Sequence, residues 1–259
     1  MINVVVGGAT GKLGTFVCQK IIASDDMKLI GGTVSPEGQN VGREIYPGIV
    51  GKTPAELPEL LKGCDVYVDL TSPAAASKII ADIPSYGANI VLGTTAVDQA
   101  VLDRMGENIR KNNTSGLISS NFAIGVNVFW KMCEVMAKYL PDYDIEVIEA
   151  HHSMKKDAPS GTAMEAVKRL SGATGIEDIE YGRQGVTGPR KREICVHSIR
   201  AGDIIGDHTV IFAKNNERVE LTHKAISREV FAEGCIESIR WLAGKKDGQI
   251  HCMNEVLGL

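Results

Sequence analysis

The first fourteen residues constrain the chain most. Ile2 to Val6 is a short run of β-branched residues closed at once by Gly7-Gly8-Ala9-Thr10-Gly11-Lys12-Leu13-Gly14. A continuous apolar run, rather than an alternating one, suits a strand buried on both faces of a parallel sheet. Beyond the glycines, Phe16, Val17, Ile21 and Ile22 recur at roughly helical spacing, and Lys28 to Val34 forms a second apolar strand. Strand, glycine loop, helix and strand in that order open a doubly wound, Rossmann-like dinucleotide-binding fold.

The three glycines of this G-x-x-G-x-x-G run have separate jobs. Gly8 turns the chain sharply out of the strand, Gly11 lets the backbone approach a pyrophosphate, and Gly14 lets the helix pack closely on the sheet. The phosphates would rest on free N–H groups at the helix N-terminus, where the dipole favours negative charge. A glycine-rich tight turn without any ligand has the same composition, and only the strand–loop–helix context favours the nucleotide. At the end of the second strand, where an acidic residue often holds the adenosine ribose, the sequence runs Thr33-Val34-Ser35-Pro36. Ser35 does not repel a 2′-phosphate, and Lys12 and Arg43 are near in sequence, so the chain leans toward NADPH, with NADH also used. Glu37 is close enough in sequence to reach the ribose instead.

Three further strands, Asp65–Thr71, Asn89–Leu92 and Leu117–Ser119, end in small or hydroxylated residues: Ser72, Gly93-Thr94-Thr95 and Ser119-Ser120-Asn121-Phe122. In open α/β sheets ligands lie beyond the carboxyl ends of the strands. After a helix over 126–140, strands dominate at 145–150, 194–200, 207–213 and 218–225, and a last helix spans 228–243. The expected class is α/β: a dinucleotide-binding domain over 1–122 and 231–259, and a second α+β domain over 123–230 with a mixed, largely antiparallel sheet.

Composition removes whole classes of function. The 28 Lys+Arg against 32 Asp+Glu give a net charge of −4, and aromatics are 5%. Neither a basic face nor a base-stacking surface is indicated, so no nucleic-acid partner is expected. The six cysteines form no Cys-x-x-Cys pair. No basic-flanked leader opens the chain, and no apolar stretch approaches the ~20 residues of a membrane helix. The expectation is a cytoplasmic protein with no membrane partner.

The densest chemistry lies in Glu149-Ala150-His151-His152-Ser153-Met154-Lys155-Lys156-Asp157-Ala158-Pro159-Ser160-Gly161-Thr162-Ala163. Thr162-Ala163-Met164-Glu165 fits a capping box, which makes Thr162 the expected N-cap and the amides around Gly161 and Thr162 an anion site. His151 or His152 titrates near neutrality and suits acid/base work. Lys155 supplies a point charge for a carboxylate or a proton. A solvated basic loop is the plain alternative. Adjacent histidines point to different sides of an extended chain and no third ligand stands out, so no metal is expected.

This loop closely resembles the substrate-site signature of the dihydrodipicolinate reductase (4-hydroxy-tetrahydrodipicolinate reductase) family. The resemblance extends over essentially the whole chain. It takes in Gly8–Gly14, Gly93-Thr94-Thr95, Asn121-Phe122 with Gly125-Val126-Asn127, Arg200-Ala201-Gly202-Asp203 with Gly206-Asp207-His208, Thr222-His223-Lys224-Ala225 and Trp241–Lys245. It implies hydride transfer from NAD(P)H to C4 of a cyclic dicarboxylate with loss of water, in diaminopimelate and lysine synthesis. It further implies His151 as proton donor/acceptor and Lys155 as proton donor, with His152, Ser160, Gly161 and Thr162 on the substrate carboxylates. The cofactor would meet Gly8, Ala9, Thr10, Gly11, Lys12, Leu13, Ser35, Gly93, Thr94, Thr95, Ser119, Ser120, Asn121 and Phe122. A homotetramer built through the second domain's sheet is implied too. Ser35 departs from the acidic residue of many members, and Ser72 from an arginine of some.

Short-chain reductases and epimerases also open Gly-Ala-Thr-Gly-x-x-Gly, but they use a Tyr-x-x-x-Lys pair. None of Tyr46, Tyr67, Tyr86, Tyr139, Tyr143 or Tyr181 has a lysine four residues later. A nucleotide sensor that does no chemistry would not need His151 and Lys155.

Overall fold

The computed structural model describes residues Met1–Leu259. The chain divides into two compact units, one of Met1–Ile124 with Glu229–Leu259 and one of Gly125–Arg228.

The first unit is built on an eight-stranded sheet. Its elements are β1 (Ile2–Gly7), α1 (Lys12–Ile22), β2 (Met27–Thr33), β3 (Glu44–Tyr46), β4 (Ile49–Lys52), α2 (Leu57–Leu60), β5 (Val66–Asp69), α3 (Pro73–Ile79), β6 (Asn89–Leu92), α4 (Gln99–Asn112) and β7 (Gly116–Ile118). With β13 (Ile250–His251) from the end of the chain at one edge, the strand order β13-β7-β6-β5-β1-β2-β4-β3 is parallel except for the β3–β4 edge pair. Val4, Val5, Val6, Val66, Val68, Ile90 and Val91 are wholly buried, as strands covered on both faces must be. The chain leaves β1 toward β2 on one side and returns through β5 on the other. The switch point of this Rossmann-like sheet therefore lies at the carboxyl end of β1, beside the glycine loop.

The second unit comprises α5 (Ile124–Tyr139), β8 (Asp144–His151), α6 (Gly161–Thr174), β9 (Ile179–Tyr181), β10 (Ile194–Arg200), β11 (Gly206–Lys214) and β12 (Glu217–Ala225). Its sheet runs β12-β11-β8-β10-β9. The β11–β12 and β8–β11 pairs are antiparallel, while β10 is parallel to β8 and β9. Alternation along β8 and β11 sends Ile145, Val147, Val210 and Phe212 into the core. The chain then returns to the first unit as α7 (Glu229–Leu242), β13 (Ile250–His251) and α8 (Met253–Leu257). There α7 packs on α1, pinned by Lys20–Glu233 at 2.5 Å and Arg240–Asp26 at 2.8 Å. No helix is long and apolar enough to cross a membrane.

One cap differs from expectation. The helix after the charged loop starts at Gly161, and Ser160, not Thr162, is its N-cap, accepting the Ala163 N–H at 3.2 Å. Thr162 lies inside the first turn, and its carbonyl accepts from Trp130 Nε1. The serine lies two residues upstream of the Thr-x-x-Glu pattern, and its extended backbone turns the hydroxyl onto the third amide of the turn.

Candidate active site

In the first unit the candidate residues gather where the parallel strands end. Gly8 has φ +76, and both its N–H and that of Ala9 donate to the Thr33 carbonyl, so β2 holds the turn in place. Ala9 is buried and its carbonyl accepts from Tyr46 at 2.8 Å, so Ala9 shapes the loop from beneath. Gly11 caps α1 without any side-chain hydrogen bond, which leaves the first-turn amides of Lys12 and Leu13 to a ligand. A Cβ at Gly14 would stand 2.1 Å from the Gly8 carbonyl oxygen, so only glycine brings the helix this close. Above the turn lies a crevice of about 360 Å³ lined by Gly8, Thr10, Gly11, Thr33, Ser35 and Thr71 among others. These features fit the pyrophosphate and ribose of a dinucleotide. No charged side chain lines this crevice.

Sequence reasoning missed Asp69, the wholly buried last residue of β5. Its carboxylate accepts from Thr94 Oγ1 at 2.6 Å, Thr71 Oγ1 at 2.8 Å, the Thr71 N–H at 3.2 Å and Tyr67 OH at 3.1 Å. The Thr94 hydroxyl is therefore committed to Asp69, and Thr94 holds the Gly93–Thr95 loop from below. Ser119 Oγ donates to the Asn121 carbonyl at 2.8 Å, and Asn121 Oδ1 accepts from the Ala123 N–H. These bonds tighten the 119–123 turn at the end of β7. Ser35, Thr95 and Ser120 are exposed at the same strand ends, and Phe122 is buried against Gly93.

In the second unit, strand register assembles the site in two rows. In the first, His223 on β12, His208 on β11, Glu149 on β8 and Ser198 on β10 are direct partners. The next row carries Ala225, Gly206, His151 and Arg200. Glu149 and His151 share a face because they are two residues apart on one strand. His151 Nδ1 meets Glu149 Oε2 at 2.5 Å, and Arg200 grips both carboxylate oxygens at 2.9 and 2.8 Å. The Ser160 N–H adds a fourth donor at 3.3 Å. A Cβ at Gly206 would lie 3.1 Å from His151 Nε2, so glycine there leaves room beside that nitrogen.

Electrostatics follow from this packing. Burial pushes the His151 pKa down, against the Glu149 carboxylate, which raises it; Lys155 and Arg200 lower it further. Burial would raise Glu149, but its hydrogen bonds from Arg200, Ser198 and His151 outweigh that and hold it below the usual range. His208 is pushed down to about 4, by burial first and then by His151. Ser160 Oγ lies 3.2 Å from His208 Nε2. His208 Nδ1 is buried without a hydrogen-bond partner.

The expected substrate residues converge around this face. Lys155 pairs with Asp157 at 2.9 Å, its amide donates to the His152 carbonyl, and its charge is close enough to act on His151. His152 is half-buried beside it, and Gly161 and Thr162 form the first turn of α6 directly after Ser160. Glu149 carries no signal of its own in sequence. Arg200, Gly206, His208 and His223 stand in the resembling motifs, but only the register shows why they belong together. Elsewhere on the sheet, ligand atoms of Glu146, Cys195 and His197 lie within 4.8 Å of one another. Glu146 is engaged by Arg190 at 3.1 Å and Arg183 at 3.5 Å, and burial raises the Cys195 thiol, so the group is set up for ion pairing rather than for a cation.

Both parts of the chain match known proteins. Residues 2–122 match the family model described as dihydrodipicolinate reductase, N-terminus, and residues 125–257 the one described as dihydrodipicolinate reductase, C-terminus. The 4-hydroxy-tetrahydrodipicolinate reductase of Methanocaldococcus jannaschii is 45% identical over 100% of this chain and 98% of its own. That of Methanosarcina mazei is 43% identical over 100% of both. A dipicolinate-bound dihydrodipicolinate reductase from Paenisporosarcina sp. TG-14 shares the fold, with a TM-score of 0.83 over 98% of each chain at 24% identity.

Proposed function

The chain belongs to the dihydrodipicolinate reductase family, and from that membership we propose how its own residues perform the family's reaction. It is an oxidoreductase that converts 4-hydroxy-tetrahydrodipicolinate, NAD(P)H and a proton into tetrahydrodipicolinate, NAD(P)⁺ and water, in diaminopimelate and lysine synthesis.

The observation that carries the assignment of roles is the Glu149–His151 contact beside Lys155 and the start of α6. A doubly negative ring needs cationic and N–H partners, and this loop supplies both. His152, Ser160 and the amides of Gly161 and Thr162 hold the two carboxylates, and Lys155 donates a proton. His151 moves a proton at Nε2, the nitrogen left open beside Gly206. Two substrate carboxylates nearby favour its imidazolium form and oppose the effect of burial. In the first unit, Gly8, Thr10, Gly11 and the amides of Lys12 and Leu13 hold the dinucleotide, while Ala9, Thr94 and Asp69 set the loops. Ser35, Gly93, Thr95, Ser119, Ser120, Asn121 and Phe122 complete that surface. The bound nicotinamide supplies the hydride. Ser35, unlike the acidic residue of many members, does not repel a 2′-phosphate, and on this reading NADPH is used at least as well as NADH.

The same reading takes the half-exposed sheet face bearing Ile148, Ile199, Thr209 and Ile211 as the surface through which four copies assemble. Six free thiols support a reducing, cytoplasmic setting. The test is NADPH oxidation followed by absorbance. It proceeds when the product of dihydrodipicolinate synthase is supplied; no oxidation with that substrate would overturn the reading.

A further inference from the structure

Glu149 is wholly buried and ionic, and a carboxylate in that setting is costly unless every lone pair is used. Here it is surrounded by donors from three places: Arg200 on β10, His151 on β8 and the Ser160 N–H at the cap of α6. Arg200 also donates to the Asp157 carbonyl at 2.6 Å, in the loop that carries Lys155. Yet Arg200 Nε is buried without a partner. The guanidinium is thus aimed at the carboxylate and the loop, at the expense of its own third donor. An apolar pair of similar volume is often as stable as a buried ion pair. What an apolar pair cannot do is accept a hydrogen bond from Nδ1–H of an imidazole.

We propose that Glu149, held by Arg200, is a positioning residue for proton transfer: it fixes the His151 proton on Nδ1 and so keeps Nε2, beside Gly206, as the transferring nitrogen. The inference rests on the reading that His151 exchanges the proton with substrate. The charged and titratable groups around the His151 ring are Glu149 on its own strand, Arg200 on β10, His208 on β11, and Lys155 with its partner Asp157 in the following loop. Of these only Glu149 touches a ring nitrogen. Removing its charge leaves Lys155 and Arg200 unopposed, and the imidazolium becomes harder to form.

The test uses the full-length enzyme with Glu149→Gln, Glu149→Asp and, as a control, His151→Gln. In Glu149→Gln, kcat falls about 10- to 100-fold while KM for the dicarboxylate stays within about twofold. A proton donor is active below its pKa. The descending limb of kcat against pH therefore moves to lower pH by about one unit or more, the effect of losing an adjacent opposite charge. Glu149→Asp retains the charge and restores the position of that limb. Nitrogen-15 NMR of the wild-type protein shows neutral His151 protonated at Nδ1, a readout independent of turnover and of whether any variant folds. A wild-type pH profile and kcat in folded Glu149→Gln, or an Nε2–H tautomer in the wild type, overturns the inference. Wild-type turnover in His151→Gln removes instead the reading on which it rests, whereas loss of turnover in His151→Gln with none in Glu149→Gln removes the inference alone.

Discussion

Replacing Gly14 by alanine tests the cofactor loop directly. Its Cβ would sit 2.1 Å from the Gly8 carbonyl oxygen, and real Cβ atoms essentially never come closer than 3.0 Å, so loop and helix must separate by about 0.9 Å. Both are anchored. Gly8 and Ala9 are bonded to Thr33, and Val17, Cys18 and Ile21 fix α1 to the core. Such overpacking costs roughly 1–3 kcal/mol of stability, which a chain of this size survives. The larger effect falls on the ligand. A shift of that size takes the first-turn amides beyond the ~2.7–3.2 Å at which they bond a phosphate oxygen. Losing one hydrogen bond to a charged group is worth about 1.5–3 kcal/mol, so Kd for NADPH should rise about 10- to 100-fold. Fluorescence titration with NADPH measures this, with circular dichroism as the control for folding. A folded Gly14→Ala protein that binds NADPH with the wild-type Kd would refute the assignment of the loop to the dinucleotide.

Lys155→Ala and His151→Gln should each lower kcat by roughly 10²-fold or more, the scale of a lost general acid; steady-state turnover near wild type in either would exclude that residue. Gly206→Ala places a methyl 3.1 Å from His151 Nε2 and should lower kcat about 10-fold with little change in Tm, since the imidazole must move by a few tenths of an ångström. A kcat/KM ratio strongly favouring NADH over NADPH would show that Ser35 had been misjudged. His208 is held neutral, with a folded pKa of about 4 against 6.5 for the free side chain. Its contribution to stability is present above the unfolded pKa and is lost as pH falls through 6.5 toward 4. Thermal melts should show Tm dropping over that window in the wild type, with a shallower drop in His208→Gln; parallel curves would argue against it.

The glycine loop was legible because its requirements are local. A turn at positive φ, an uncapped helix start and a close helix contact each select glycine at a fixed offset from the strand. The charged loop was legible as a cluster for the same reason, although Ser160 rather than Thr162 caps its helix. Glu149 and Arg200 were not legible as a pair. They lie 51 residues apart and meet because β10 docks parallel to β8 with Arg200 opposite His151. Asp69 was hidden similarly, since its partner Thr94 comes from a different strand end. In α4, Val101, Met105 and Ile109 recur every four residues, but a mostly polar exterior and Gly106 weaken the signal. Strands β3, β4, β9 and β13 are only two to four residues long, too short to show a period.

A crystal structure of the enzyme with NADPH and pyridine-2,6-dicarboxylate tests the central claim most directly. It should show one carboxylate of the ring on the amides of Gly161 and Thr162, Lys155 beside it, and His151 Nε2 turned toward the ring with Nδ1 still on Glu149. A fully ligated complex in which the dicarboxylate binds away from residues 151–162 would contradict the account.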